Sequence, residues 1–250
     1  MMLSRVGKEV LIKAVAQSIP SYTMGVFQLP LKICDELNSM CAKFWWGQVG
    51  NERKIHWKSW SCLSKPEKEG GMGFRDLRSF NLAMLAKQGW RLLQDDSILF
   101  KCLKARYFPR SHFLEAMESP HCSDTWKSIM VAMPILKAGC CWRVGNGSSI
   151  RVLKDKWIPN HPTNKVIHSI GVEEEDMDWL VAELIDPDLN WWNRDFISSK
   201  FHKDDVDAIL HIPLSYRWVS DSIFWLHNKE GVYSCKSGYK VAIQLAKEEN

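Results

Sequence analysis

The sequence predicts a mainly α chain with small β-hairpins, an α+β arrangement in two loosely coupled units. Three observations carry this. Apolar residues recur at helical spacing through the first 110 positions. The Asn146-Gly147 pair between apolar alternations is a strong hairpin signal. Charge also divides the chain: residues 1–110 hold 18 basic and 9 acidic side chains, a net of +9, whereas residues 166–250 hold 8 and 16, a net of −8. The stretch between them is net +3, so the overall +4 hides a basic front and an acidic back.

Met1 to Pro20 reads as an amphipathic helix, with Val6, Val10, Leu11, Ala14, Val15 and Ile19 forming its apolar stripe. Charges inside that pattern (Arg5, Lys8, Glu9, Lys13) exclude a signal peptide. Pro30 suits the first position of a second helix carrying Ile33, Leu37, Met40, Cys41, Phe44 and Trp45, with Gly47 as its stop. An irregular Trp-rich stretch comes next, from Arg53 to Trp60, and then a Gly-rich loop from Ser64 to Gly73. Asp76 is a candidate N-cap for a third helix with Leu77, Phe80, Met84, Leu85 and Leu92, and a basic fourth helix spans Ser97 to Tyr107. Residues 125–137 read as a helix interrupted by Pro134. Cys140–Val144 and Ser149–Leu153 read as the two strands of the hairpin, and residues 222–226 and 231–235 as a second strand pair. Short helices are expected around 179–185 and 204–210, the second with Asp204 and Asp205 favouring its dipole. A last helix, Lys236 to Lys247, has nothing after it to pack against. These elements group as a basic helical region over 1–115, a helix-plus-hairpin unit over 116–165 and an acidic region over 166–250.

A hydrophobic content of 46% excludes wholesale disorder. No run approaches the roughly 18–20 apolar residues of a membrane span, so no membrane partner is expected. Eight Cys without an export signal are most simply reduced thiols, which places the chain inside the cell, the nucleus included. Thirteen Trp imply a large aromatic area to bury or to stack.

Six runs carry a resemblance: LSRVGKEVLIKAVAQSIPSYTMGVFQLP; FWWG and then RKIHWKSW; GGMGFRDLRSFNLAMLAKQGWRLL; KARYFP; CWRVGNGSSIRV; and GVYSCKSGYKVA. In this order, and over nearly the whole chain, they resemble non-LTR (LINE-type) retrotransposon polyproteins of plants. The resemblance implies thumb-like helices and a connector located after a reverse-transcriptase palm. After these comes the start of a reverse-transcriptase-associated zinc-binding domain, with a ribonuclease H domain often beyond it. The palm of a parent polyprotein is then an implied partner. Two positions depart from the family pattern, Leu153 in place of a Trp and Cys235 in place of a β-branched residue.

Catalytic chemistry is not expected from these residues. A polymerase needs carboxylates converging on two metals, usually at an aromatic-x-Asp-Asp turn. Asp95-Asp96 lacks the aromatic and ends a helical pattern. The acidic run Glu173–Asp178 lacks strands to converge it into a ribonuclease H cluster. No paired Cys/His spacing suits zinc, and Gly70-Gly71-Met72-Gly73 lacks the Gly-Lys-Ser/Thr of a P-loop. No metal and no cofactor are expected, and the chain is expected not to be an enzyme.

What remains is interleaving of basic and aromatic residues. Lys and Arg neutralise phosphates without regard to sequence, and exposed aromatics stack on unpaired bases. The candidate contacts are Arg53, Lys54, His56, Trp57, Lys58, Arg75, Arg78, Lys87, Arg91, Lys101, Lys104 and Arg106. They imply nonspecific binding of RNA or DNA, as a single strand or a heteroduplex. Two other classes stay open: a protein-interaction or structural module, and a decayed retroelement product with no selected function.

Overall fold

The computed structural model describes residues 3–48, 50, 54–94, 97–118, 120–167 and 178–248. Helices dominate and the sheets have two strands each, as the predicted fold class requires. The chain divides into two compact units: residues 1–138 with 234–250, and residues 139–233. By that division the first unit carries 23 basic and 14 acidic side chains, net +9, and the second 10 and 15, net −5.

The first unit opens with α1 (Arg5–Leu11), capped by the Ser4 hydroxyl, and a π-helical turn over Ile12–Ala16. Next come the short α2 (Ser21–Met24), α3 (Leu31–Trp46), α4 (Trp60–Leu63) and the long α5 (Leu77–Gln94). Pro30 directly precedes α3, and Gly47 ends it at φ +70°, a left-handed backbone that favours glycine. Asp76 Oδ2 accepts from Ser79 N–H (2.9 Å) at the start of α5, the cap its sequence promised. Beyond it lie α6 (Ile98–Tyr107), with Ser97 as cap, α7 (Asp124–Val131) and α8 (Met133–Gly139). The break between α7 and α8 falls at Ala132, two residues before Pro134, where the interrupted helix was expected.

α5 is the central post. Leu77, Ala83, Leu85, Ala86, Trp90 and Leu92 are buried along it. Buried Asn81 ties the loop after α2 to it, donating to the Met24 and Phe27 carbonyls (2.9 and 3.0 Å) and accepting from Leu29 N–H (2.7 Å). Gln17 does the same for the π turn, with both amide ends on the Arg75 backbone at 3.1 Å. Trp126 is fully buried, stacked on Tyr107 and Phe108, with Phe113 edge-on. The final helix, α11 (Cys235–Glu248), lies against α5, and the Tyr239 hydroxyl accepts from Asp76 N–H at 2.9 Å. The helix that sequence left without a partner therefore has one, formed more than 140 residues earlier.

One expectation for the first helix changes. Its predicted apolar stripe faces solvent: Val6, Val10, Val15 and Ile19 are exposed, while Ile12 and Gln17 are buried. The π turn adds a residue to the helical turn and shifts the phase of Val15 and Ile19, whereas Val6 and Val10 precede it and lie on a solvent-facing side of α1.

The second unit holds two small antiparallel sheets. β1 (Cys140–Arg143) pairs with β4 (Ser222–Trp225) in the register Cys140↔Trp225 to Arg143↔Ser222. β2 (Ile185–Asp186) and β3 (Trp191–Trp192) form a hairpin after a 3₁₀ turn at Val181–Leu184. Two helices come after it, α9 (Arg194–Lys200) and α10 (Lys203–Leu210). The core collects Trp157, Trp192, Val181, Leu184, Ile197 and Ile209. Trp157 and Trp192 donate their indole N–H groups to the Val152 and Ile212 carbonyls (2.9 and 2.8 Å).

Cys140–Val144 does not pair with Ser149–Leu153, contrary to the Asn-Gly cue. The carboxylate of Asp221 accounts for the loop between them: it accepts from the N–H groups of Gly145, Gly147 and Ser149 (2.7, 2.9 and 2.8 Å). Residues 150–152 instead bond to residues 179–181, through Val152 N–H to Trp179 and Val181 N–H to Ile150. The Asp204-Asp205 pair also divides. Asp204 is exposed in the first turn of α10, as a dipole partner should be. Asp205 is fully buried, with His161 Nε2 at 3.2 Å and Ile167 N–H donating to the same oxygen at 3.2 Å.

Candidate nucleic-acid interface

The twelve candidate contacts fall on three parts of the first unit. Lys54, His56, Trp57 and Lys58 lie on the loop that leads into α4, and all four are exposed. Trp57 stands out at 77% exposure. It is the exposed Trp of the basic segment: Trp45, Trp46 and Trp60 are half-buried and Trp90 is buried. The loop is held from beneath, because the His56 ring stacks on Trp46 (centroids 6.0 Å apart, 23° between planes) and Lys58 Nζ donates to the Gly70 carbonyl (3.2 Å). Trp46 belongs to a small core with Ile12, Cys41, Leu63 and Phe74, in which Trp60 stacks on Phe74 at 5.0 Å. A packed aromatic floor thus presents a cationic, aromatic rim. Arg53 lies outside the described residues.

The second set lies on and just before α5. Arg78, Lys87 and Arg91 are exposed on the helix. Arg75 is half-buried, its guanidinium 4.6 Å over the Phe80 ring. The third set is on α6, where Lys101, Lys104 and Arg106 are exposed; Lys104 sits over Phe100 and Arg106 over Tyr107. The fold supplies no single strip that lines up all three sets on one element.

Near the first set lies a cleft of about 310 Å³. Lys58 lines it, and so do Arg5 and Lys8 of α1 and Trp45 and Trp46 of α3. In the sequence Arg5 and Lys8 are no more than the polar face of an amphipathic helix. They stand some 40 residues from the aromatic run, and only the tertiary fold brings them to it.

Asp95 and Asp96 lie outside the described residues, as does the acidic run except for Asp178. Lys154 Nζ donates to Asp178 at 2.6 Å, and that bond lowers the carboxylate's pKa. Among the described residues no group of three His, Cys, Asp or Glu side chains could hold a metal ion, and no helix is long and apolar enough to cross a membrane.

Comparison with known proteins supplies the family. The chain is 39% identical over 143 residues to an uncharacterized mitochondrial protein of Arabidopsis thaliana, a match that covers 56% of this chain and 93% of the relative. It belongs to that protein's family. It is also 29% identical to an Arabidopsis thaliana protein named "Putative ribonuclease H protein", over 96% of this chain but only 39% of the relative. The chain thus spans about two fifths of that longer protein. Relatives of these two kinds are typical of retrotransposon-derived plant sequences. No family model and no solved structure matches the chain.

Proposed function

We propose that this retroelement-derived chain is a noncatalytic segment of a LINE-type reverse-transcriptase polyprotein, and that its first unit holds RNA or DNA without sequence preference. The observation that carries the reading is the loop Lys54–Lys58, where an exposed Trp stands between exposed cations on a unit of net charge +9. Cations there release counterions from phosphates, and an exposed indole stacks on an unpaired base for roughly 1–3 kcal/mol. The length of the relative named for ribonuclease H, most of which lies outside this match, supports a segment rather than a whole enzyme.

The test is a salt titration of binding to single-stranded RNA and to an RNA–DNA heteroduplex. With about four phosphate contacts and a slope near −0.7 per contact, affinity for the single strand falls roughly 50-fold from ~50 to ~200 mM salt. Binding that does not change with salt, or none at all, removes the proposal.

A second reading, a protein-interaction module, has one observation in its favour. Val6 and Val10 on α1, Ile19 in the turn before α2 and Tyr22 on α2 form exposed apolar surface, at 58–88% exposure. Under it, apolar contacts hold a partner and raising the salt does not release it.

A further inference from the structure

We infer that the cleft beside α1 is a seat for one phosphorylated nucleotide, with its phosphate held by Arg5, Lys8 and Lys58 and its base laid against Trp45 and Trp46. The inference deepens the nucleic-acid reading and rests on it. At about 310 Å³ the cleft is at the small end of ligand pockets, roughly 300–1,000 Å³, and suits a single nucleotide unit.

Its charges are not neutralised, although Lys8 Nζ also sits over the Phe44 ring at 5.9 Å. Among the described residues, Arg5, Lys8 and Lys58 make no ion pair. Lys8 Nζ donates to the Trp45 carbonyl (3.4 Å) and Lys58 Nζ to the Gly70 carbonyl (3.2 Å). A neutral carbonyl orients an ammonium without cancelling its charge. The carboxylates of Glu9 and Glu67 are engaged by a different cation, with Lys13 Nζ 2.6 Å from Glu9 and 3.6 Å from Glu67. Each lysine keeps further N–H donors for an anion's oxygens.

The wall supplies the other half of the recognition. Trp45, Trp46 and Met72 give it an apolar, aromatic surface. A bare anion would leave the aromatic wall unused, and an apolar ligand would leave three cations unused. A nucleotide uses both.

The test uses the full chain. Acetylation of lysines by an amine reagent is measured residue by residue, alone and with saturating short single-stranded RNA. Lys8 and Lys58 are expected to be protected more than Lys101 and Lys104. Adenosine monophosphate is the second arm. Protection by it alone assigns a free nucleotide, protection by RNA only assigns a nucleotide within a strand, and either result supports the seat. In parallel, Arg5→Gln with Lys58→Gln is expected to weaken RNA binding roughly tenfold, and Lys101→Gln with Lys104→Gln less than threefold. Equal losses from the two pairs, or equal protection by an acidic peptide, overturn the seat while leaving nucleic-acid binding in place. Absence of RNA binding by the unmodified chain overturns both.

Discussion

The buried carboxylate of Asp205 shows how far one neighbour can separate two identical side chains. Asp204 is in water at the start of α10 and stabilises the helix dipole, a contribution of at most about 1 kcal/mol. Asp205 is enclosed with His161 and the Ile167 N–H as its partners. Asp205→Ala is expected to cost about 2–4 kcal/mol, because both partners lose their acceptor inside the unit, and Asp204→Ala less than about 1. Urea unfolding of the two variants measures the difference. Gly147 is a second single-residue constraint. Its φ is +71°, and an added Cβ would come within 2.4 Å of the Ala182 backbone nitrogen. Gly147→Ala is expected to destabilise by at least about 2 kcal/mol in the same assay. Cys140 and Cys141 form a third case. Burial pushes both thiols from the ordinary 9.0 up to about 12. The folded state favours the protonated thiol, so this contribution is present below pH 9 and is lost as pH rises from 9 toward 12. At a pH of about 8 a thiol reagent should modify exposed Cys62 and Cys102 quickly and leave Cys140 and Cys141 untouched until the protein unfolds.

At the scale of elements, α1 and its π turn give the sharpest contrast with a pattern-based reading. Ile12→Ala is expected to cost about 2–5 kcal/mol, and Val10→Ala under about 0.5, although it is Val10 and not Ile12 that belongs to the predicted apolar stripe. Thermal melts of the two variants decide it. Caps, breaks and stops were legible in sequence because they are local: Asp76 at α5, Ser97 at α6, Pro134 between α7 and α8, Gly47 after α3. Pairing across the chain was not. The Asn146-Gly147 turn is a local cue, but the partner of β1 is some 80 residues further on, and what occupies the turn is Asp221. The candidate interface divides in the same way. The Lys54–Lys58 loop could be read from its residue types, whereas Arg5 and Lys8 join Trp46 only through packing of Ile12 against Phe74 and Cys41. Periodicity tells which residues share a helix face, but it carries no information about whether another element covers that face.

For the whole molecule, the +9 and −5 of the two units sharpen a bland total of +4. Acid should act on the second unit. Burial first, and the Lys156 charge second, hold the His227 pKa below its ordinary 6.5. The folded state favours neutral His227, so its contribution is present above pH 6.5 and is lost as pH falls through the lowered folded value. Unfolding midpoints at pH values of about 7 and about 5 should differ less in His227→Gln than in the unmodified chain.

α11 completes a unit whose other helices end at residue 138, and the whole second unit is made in the interval. At roughly 5–20 residues per second, a ribosome takes on the order of 5–20 s to pass from α8 to the end of α11. Through that time the face of α5 that receives α11 is bare, and the second unit becomes entire at residue 233, before α11 is made. The later unit is thus complete in sequence before the earlier one can close, and a nascent chain stalled in between presents that face of α5 to chaperones.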